Sequence, residues 1–284
     1  MNKKRTVLLG NFDGVHIGHQ ALIKKGRSEA DKRGTPLTVW TFDTLFSPAL
    51  TAKDDRVELL RSYGVDEVII ESFERVKDLT PAEFVSNILH SELSTGLCIC
   101  GYNYTFGCGG IGDPRLLREL CSEWGIDAEI IGRVTVDGGD VSSSAIRKML
   151  TDGDIEGANK LFGRSYFLRD TVKEGNKKGR SVGMPTANIY PSGLCLPKNG
   201  VYATITVVNG KRLPSVTNVG LRPTVNDGRG VSVETHIIDF EGNLYGKEIK
   251  IEFLSFLRPE QKFDSLDEVQ NAVKDDIAKA KTLF

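Results

Sequence analysis

Apolar and polar positions switch between two rhythms over the first half of the chain. The apolar run Thr6–Leu9 reads as a strand, and helical spacing then extends from about His16 to Arg33. A Gly34-Thr35-Pro36 break leads into the β-branched and aromatic run Leu37–Phe42, a second strand. Helical spacing returns around Arg56–Arg61 and stops at Gly64, ahead of strand Glu67–Ile70. Thr80-Pro81-Ala82-Glu83 is a capping box with proline at the first helical position, and Phe84, Val85, Ile88 and Leu89 follow at helical intervals. Strand Leu97–Tyr102, helix Pro114–Trp124 and strand Ala128–Ile131 continue the series. This alternation predicts a doubly wound parallel sheet, helices on both faces, with ligands bound beyond the carboxyl ends of the strands.

After about residue 132 the texture changes. Two short helical stretches, Ser144–Leu150 and Asp154–Phe162, run into Gly153 and Gly163, a common way to stop a helix. Strands then follow without intervening helices: Val201–Val208, an Asn209-Gly210 hairpin turn, Leu213–Val219, Val231–Phe240 and Glu248–Leu254. Such spacing predicts a small antiparallel β-barrel. A last helix opens at the capping box Ser265-Leu266-Asp267-Glu268 and carries Leu266, Val269, Val273 and Ile277 on one stripe. The pattern divides the chain near residue 162 into domains 1–162 and 163–284.

Composition narrows the classes. At 284 residues there is material for two cores. Basic and acidic residues number 37 and 38, so no global positive field points to nucleic acid. Apolar runs fall short of a membrane span, and Met1–Arg5 passes into a strand without a signal-peptide core, which predicts a cytoplasmic protein. The five cysteines are odd in number, and four of them cluster, which suggests reduced thiols. Zinc held by that cluster is the sharper alternative, but Cys98 and Cys100 alternate within an apolar run, where cysteine packs as a small hydrophobe.

Chemistry concentrates first in Gly10-Asn11-Phe12-Asp13-Gly14-Val15-His16-Ile17-Gly18-His19, which leads from strand to helix. Small residues let backbone approach an anion, the helix start presents free N–H groups, and histidines on the first turn add donors or positive charge. Two alternatives stand beside phosphate binding: metal ligation by His16 and His19, and ordinary helix capping. A second candidate is Ser142-Ser143-Ser144-Ala145-Ile146-Arg147, where hydroxyls at a helix start can cap it or bind phosphate oxygens, with Arg147 a turn later.

Together these segments resemble the nucleotidyltransferase superfamily. With Gly101–Gly107 between them, they resemble the N-terminal module of bacterial bifunctional riboflavin kinase/FAD synthetases. The resemblance implies that FMN phosphate attacks the α-phosphate of ATP, giving FAD and pyrophosphate. It implies that His16, His19 and Arg147 stabilise the transferring phosphates. Gly10, Phe12, Asp13, Gly14, Gly18, Ser142, Ser143 and Ser144 would bind ATP, and Asn103 the flavin side.

The second half carries Gly179-Arg180-Ser181-Val182-Gly183-Met184-Pro185-Thr186-Ala187-Asn188, similar to the same family's kinase signature. Gly179 and Gly183 permit close backbone approach to phosphate, Arg180 adds charge, and Thr186 and Asn188 offer oxygens suited to Mg²⁺. A β-turn with a solvated basic rim would look the same in isolation. Glu234 sits in an alternating strand where a carboxylate ordinarily faces solvent. The resemblance makes it the general base for riboflavin's 5′-hydroxyl as that oxygen attacks the γ-phosphate of ATP. Two segments depart from the family pattern: Asp43–Ser47, where Pro-x-Pro is usual, and Cys108–Ile111, where a basic residue is usual. The expected protein is an ATP- and Mg²⁺-dependent enzyme acting on riboflavin and FMN, without nucleic-acid or membrane partners.

Overall fold

The computed structural model describes residues 4–43, 48–174, 184–221 and 231–284. Two compact units, Met1–Ser143 and Ser144–Phe284, each enclose a core.

In the first unit, strands β1 (Arg5–Leu9), β2 (Leu37–Phe42), β3 (Glu67–Glu71), β4 (Thr95–Gly101) and β5 (Asp127–Ile131) form a sheet in the order β3-β2-β1-β4-β5. Every pairing is parallel, and the winding reverses between β1 and β4. Successive strand residues go to opposite faces. Leu8, Val39, Leu97 and Ile99 pack with Leu22, Ile23 and Leu60 of helices Ile17–Arg33 and Lys53–Ser62. Val7, Leu9, Trp40, Cys98 and Cys100 pack on the other face with Phe84, Val85, Leu117 and Cys121. Burial on both faces is why these strands read as continuous apolar runs. The doubly wound sheet is therefore present as expected. Midway along the first helix, Gly26 allows close approach, since a Cβ there would lie 2.7 Å from Leu8 Cδ2.

One segment differs from its reading. The capping box at Thr80 forms, but Phe84–Glu92 then continues in wider π-helical turns rather than as an ordinary α-helix. Its apolar stripe still reaches the core, because Phe84, Val85, Ile88 and Leu89 are all buried. A two-residue hairpin, β6 (Thr135–Val136) with β7 (Gly139–Asp140), precedes the end of the unit.

The division falls within the first turn of helix Ser143–Asp152, and helix Ile155–Phe162 follows in the second unit. They pack with the strands that follow: Asn159 Nδ2 donates to the Phe253 carbonyl and the Lys198 amide to the Leu150 carbonyl. Six strands make an antiparallel sheet in the order β8-β13-β10-β11-β12-β9. They are β8 (Tyr166–Thr171), β9 (Ala187–Ile189), β10 (Gly200–Val208), β11 (Lys211–Leu221), β12 (Val231–Ile237) and β13 (Glu248–Arg258). An isolated antiparallel bridge pairs Lys173, two residues past β8, with Asn188 of β9 at the other edge, so the sheet curls into a half-barrel. The Asn209-Gly210 turn has φ of 49° and 76°, the positive pair that a tight hairpin demands. β12 stops at Ile237 rather than Phe240, because Asp239 turns the chain at φ 55°.

The barrel interior is unusually polar. Thr204, Ser215, Thr206, Thr235 and Thr217 are fully buried and close a ring of hydroxyl hydrogen bonds at 2.7–3.3 Å. Each hydroxyl can donate once and accept once around that ring, so burial leaves none unpaired. Outside, Val201, Ala203 and Val216 are covered by Ile277 and Ala280 of the terminal helix Leu266–Lys281.

Candidate active sites

At the carboxyl end of β1, residues 10–16 form a tightly wound loop. Phe12 and Val15 have φ of 50° and 42°, in a region that side chains with Cβ disfavour and β-branched ones especially. Such conformations cost about 1–3 kcal/mol each and persist only where the surroundings enforce them. The enforcement is visible. Both side chains are fully buried in the core. The Asp13 carboxylate accepts from the amides of Leu50 (2.9 Å) and Thr51 (3.3 Å), and the Gly14 amide donates to Thr51 Oγ1 at 3.2 Å. Thr41 Oγ1 and Arg56 Nη1 both donate to the Asn11 carbonyl, at 3.0 and 3.1 Å.

Arg56 is the residue that reading the sequence missed. It is wholly buried, and its Nη2 also donates to the Phe42 carbonyl at 2.6 Å. Burial draws its pKa down, while Asp13 and Asp43 oppose that shift. The only sequence signal was a charged residue at the start of a helical stripe. Asp13, in turn, spends its carboxylate on backbone amides. Any share it has in holding an anion falls to the main chain of its loop.

His16 caps helix Ile17–Arg33, its Nδ1 accepting from the His19 amide at 3.3 Å. That bond leaves the ring proton on Nε2 in the neutral form. The two imidazoles stack at 3.7 Å with 15° between planes, and Phe12 tilts against His19 at 5.0 Å. Burial lowers the His16 pKa to about 4 and carries His19 well below its ordinary value, with His16 and Arg56 adding to the latter shift. In the free protein both rings are therefore neutral at pH 7. They offer N–H donors rather than the positive charge the sequence also allowed. His19 Nδ1 is buried without a hydrogen-bond partner. Gly18 is tied to this pair, since a Cβ there would stand 3.1 Å from the His16 ring; a Cβ at Gly10 would stand 3.3 Å from Phe12.

Ser143 joins the loop directly, donating from Oγ to the Asp13 carbonyl at 3.0 Å. It opens helix Ser143–Asp152, on which Ser144 and Arg147 follow within the first turn or so, with Ser142 just before. Ser142 and Ser143 belong to the first unit, whereas Ser144 and Arg147 fall in the second.

Beside Asn11 lies a cavity of about 350 Å³ lined by aromatic rings, among them Trp40, Phe42, Phe73, Tyr104 and Phe106. Trp40 meets Phe42 and Phe84 edge-on at 5.0 and 5.3 Å, and Tyr104 stacks on Phe106 at 6.0 Å. Gly107, together with Gly109 and Gly110 of the altered segment, forms part of the wall. Asn103 is exposed and lies outside that lining, one residue before Tyr104.

In the barrel, Asn188 and Glu234 stand directly opposite each other across β9 and β12. Asn188 is buried, its Nδ2 donates to the Thr186 carbonyl at 3.4 Å, and its Oδ1 has no partner. Ser232 Oγ donates to Glu234 Oε1 at 3.4 Å. Thr186 instead lines a neighbouring cavity of about 300 Å³, with Val172, Thr235 and Tyr245. An orphaned amide oxygen, a hydroxyl and a carboxylate suit a hard cation that takes its other ligands from phosphates and water. Among the described residues no cluster of His, Cys, Asp and Glu could hold a metal, and none of the five cysteines forms a disulfide. Gly179, Arg180 and Gly183 lie outside the described residues, as does 44–47 of the other altered segment.

Comparison with known proteins covers both units. A family model described as FAD synthetase matches residues 1–145, and one described as riboflavin kinase matches residues 162–284. Curated relatives carry the name bifunctional riboflavin kinase/FMN adenylyltransferase. The Pseudomonas fluorescens protein is 34% identical, over 97% of this chain and 91% of its own. That of Escherichia coli K12 is 35% identical over 97% and 91%, and that of Bacillus subtilis 31% over 99% and 93%. A crystal structure from Streptococcus pneumoniae, described as a macrolide-efflux protein, superposes with a TM-score of 0.89 at 28% identity, covering 99% of this chain and 95% of that one.

Proposed function

The chain belongs to the bifunctional riboflavin kinase/FMN adenylyltransferase family, and from that membership we infer how its residues divide the two reactions. It phosphorylates riboflavin to FMN with ATP and adenylylates FMN to FAD with release of pyrophosphate. We assign adenylyl transfer to residues 1–162 and phosphorylation to residues 163–284. The observation that carries the first assignment is the strained, over-determined loop that presents two stacked imidazoles beside an aromatic cavity.

In adenylyl transfer, an FMN phosphate oxygen forms a bond to the α-phosphorus of ATP as the bond to the bridging oxygen of pyrophosphate breaks. No protein nucleophile is needed. The loop amides after β1 and the free N–H groups at the start of helix Ile17–Arg33 face the polyphosphate. Nε2–H of His16 and the imidazole of His19 donate to oxygens where charge builds, joined by Ser142 and Ser143, while Ser144 and Arg147 carry the phosphate roles that family membership implies. The aromatic cavity takes the isoalloxazine ring, whose flat faces its rings match. Asn103 lies at the flank of that cavity rather than in its wall.

In phosphorylation, Glu234 takes the proton of the riboflavin 5′-hydroxyl as that oxygen bonds to the γ-phosphorus and ADP leaves. Thr186 and Asn188 would hold Mg²⁺, which neutralises charge on the phosphates. The 179–183 segment is assigned to the ATP phosphates on its glycines and Arg180. ATP use and five cysteines without a disulfide support a cytoplasmic location. Efflux, the activity in the Streptococcus description, has no matching feature: among the described residues no helix is long and apolar enough to cross a membrane.

The test is complementation between single-site variants. Glu234→Gln should make no FMN yet convert supplied FMN to FAD, and His19→Ala should make FMN but little FAD. Mixed together, the two should restore FAD synthesis from riboflavin. Loss of both activities in either variant would refute the division.

A further inference from the structure

The outer face of the barrel carries a row of three facing polar residues. Asn188 of β9 stands opposite Glu234 of β12, which in turn stands opposite Asn218 of β11. Residues directly opposite in antiparallel strands share a face, with Cβ atoms roughly 4.5–5.5 Å apart. Asn188 and Glu234 have roles in the proposed kinase chemistry, and Asn218 has none so far.

Asn218 is held from behind. Its Nδ2 donates to Glu260 Oε1 at 3.2 Å. Glu260 lies in the turn between β13 and the terminal helix. Gly220, two residues along β11 and on the same face as Asn218, leaves room for its carboxylate. A Cβ at Gly220 would lie 1.9 Å from Glu260 Oε1. Ser232 is opposite Gly220 in the register and bonds Glu234 from its own strand. The turn itself is anchored, because Arg258 at the end of β13 forks onto the buried Asp276 of the terminal helix at 2.8–3.1 Å.

We propose that Asn218 and Glu260 are positioning residues for riboflavin phosphorylation: Glu260 fixes the Asn218 amide, and that amide confines the Glu234 carboxylate. The amide nitrogen has two N–H groups, so one can serve Glu260 while the other faces Glu234. A general base acts only within hydrogen-bond reach of its proton, and a carboxylate on an open strand face has several rotamers to choose from. Small misplacements of such a group are costly to rate. The Asn218–Glu260 bond is exposed and so adds little to stability. Its loss should therefore register in turnover rather than in folding. The proposal rests on Glu234 as the base.

The experiment uses the full chain with riboflavin, ATP and Mg²⁺, following FMN formation. Glu260→Ala, Asn218→Ala and Gly220→Ala, the last of which displaces the Glu260 carboxylate without removing it, should each lower kcat by about tenfold or more. KM for riboflavin should stay within about twofold. Glu260→Gln keeps an acceptor oxygen and should retain most of the rate. FAD formation from supplied FMN should be unchanged in all four. Unaltered kcat in Glu260→Ala and Gly220→Ala, or equal loss of both activities, would overturn the proposal. Full kinase activity in Glu234→Gln would instead overturn the assignment of the base, and the proposal with it.

Discussion

Replacing His16 by Asn should remove a specific acid sensitivity from the first unit. In the folded chain burial holds the His16 pKa at about 4, against an ordinary value of 6.5. Between those values the unfolded chain binds a proton that the folded chain refuses. The stabilisation is therefore complete above about pH 6.5, declines as pH falls toward 4, and is flat below that. Linkage over that window gives about 2 kcal/mol lost between pH 7 and pH 5, and about 3 kcal/mol in all, for a folded pKa near 4. Asn is a good N-cap, so His16→Asn keeps an acceptor for the His19 amide while deleting the titration. Both tryptophans, Trp40 and Trp124, lie in the first unit, so denaturant unfolding followed by tryptophan fluorescence reports that unit alone. The wild type should lose about 2 kcal/mol more than His16→Asn on going from pH 7 to pH 5. Parallel stability curves for the two proteins would refute a buried neutral imidazole at this position.

Three other outcomes follow from the same geometry. Binding of ATP should draw protons onto the histidine pair, because polyphosphate charge favours the cationic imidazole; calorimetry near pH 6.5 in buffers of different ionisation enthalpy should show net uptake, reduced in His16→Asn. Gly26→Ala should lower the stability of the first unit by about 1–3 kcal/mol despite better helix propensity, since its Cβ would meet Leu8 and Leu37 at 2.7 and 2.8 Å; the tryptophan-monitored unfolding midpoint checks this. Arg56→Met should strand the Phe42 carbonyl and leave the Asn11 carbonyl to Thr41 alone, costing about 1–3 kcal/mol, and should impair FAD formation while sparing riboflavin phosphorylation.

Much of the fold was legible because periodicity and punctuation agreed. The capping box at Thr80 with Glu83 forms in full, whereas at Ser265 only half does: its hydroxyl accepts from the Glu268 amide, but the Glu268 carboxylate accepts from the Asp264 amide instead. The Asn209-Gly210 turn and the alternation of Cys98 and Cys100 with Leu97 and Ile99 between two cores follow from local chemistry. Short strands such as β9 were not legible, because three residues carry no period and β9 exists only through its pairing with β12. The π-helical course of Phe84–Glu92 also has no signature in apolar spacing. At the sites, the histidine pair was visible as residue types but its neutrality was not, since that depends on burial by distant segments. Arg56 was invisible for a related reason: its partners Asn11 and Phe42 are 45 and 14 residues away.

One chain runs two reactions in sequence. A time course from riboflavin with ATP and Mg²⁺, resolved by chromatography, should show FMN rising first and FAD growing at its expense, with one pyrophosphate released per FAD. FMN accumulating without FAD, while the intact protein binds both ATP and FMN, would contradict it.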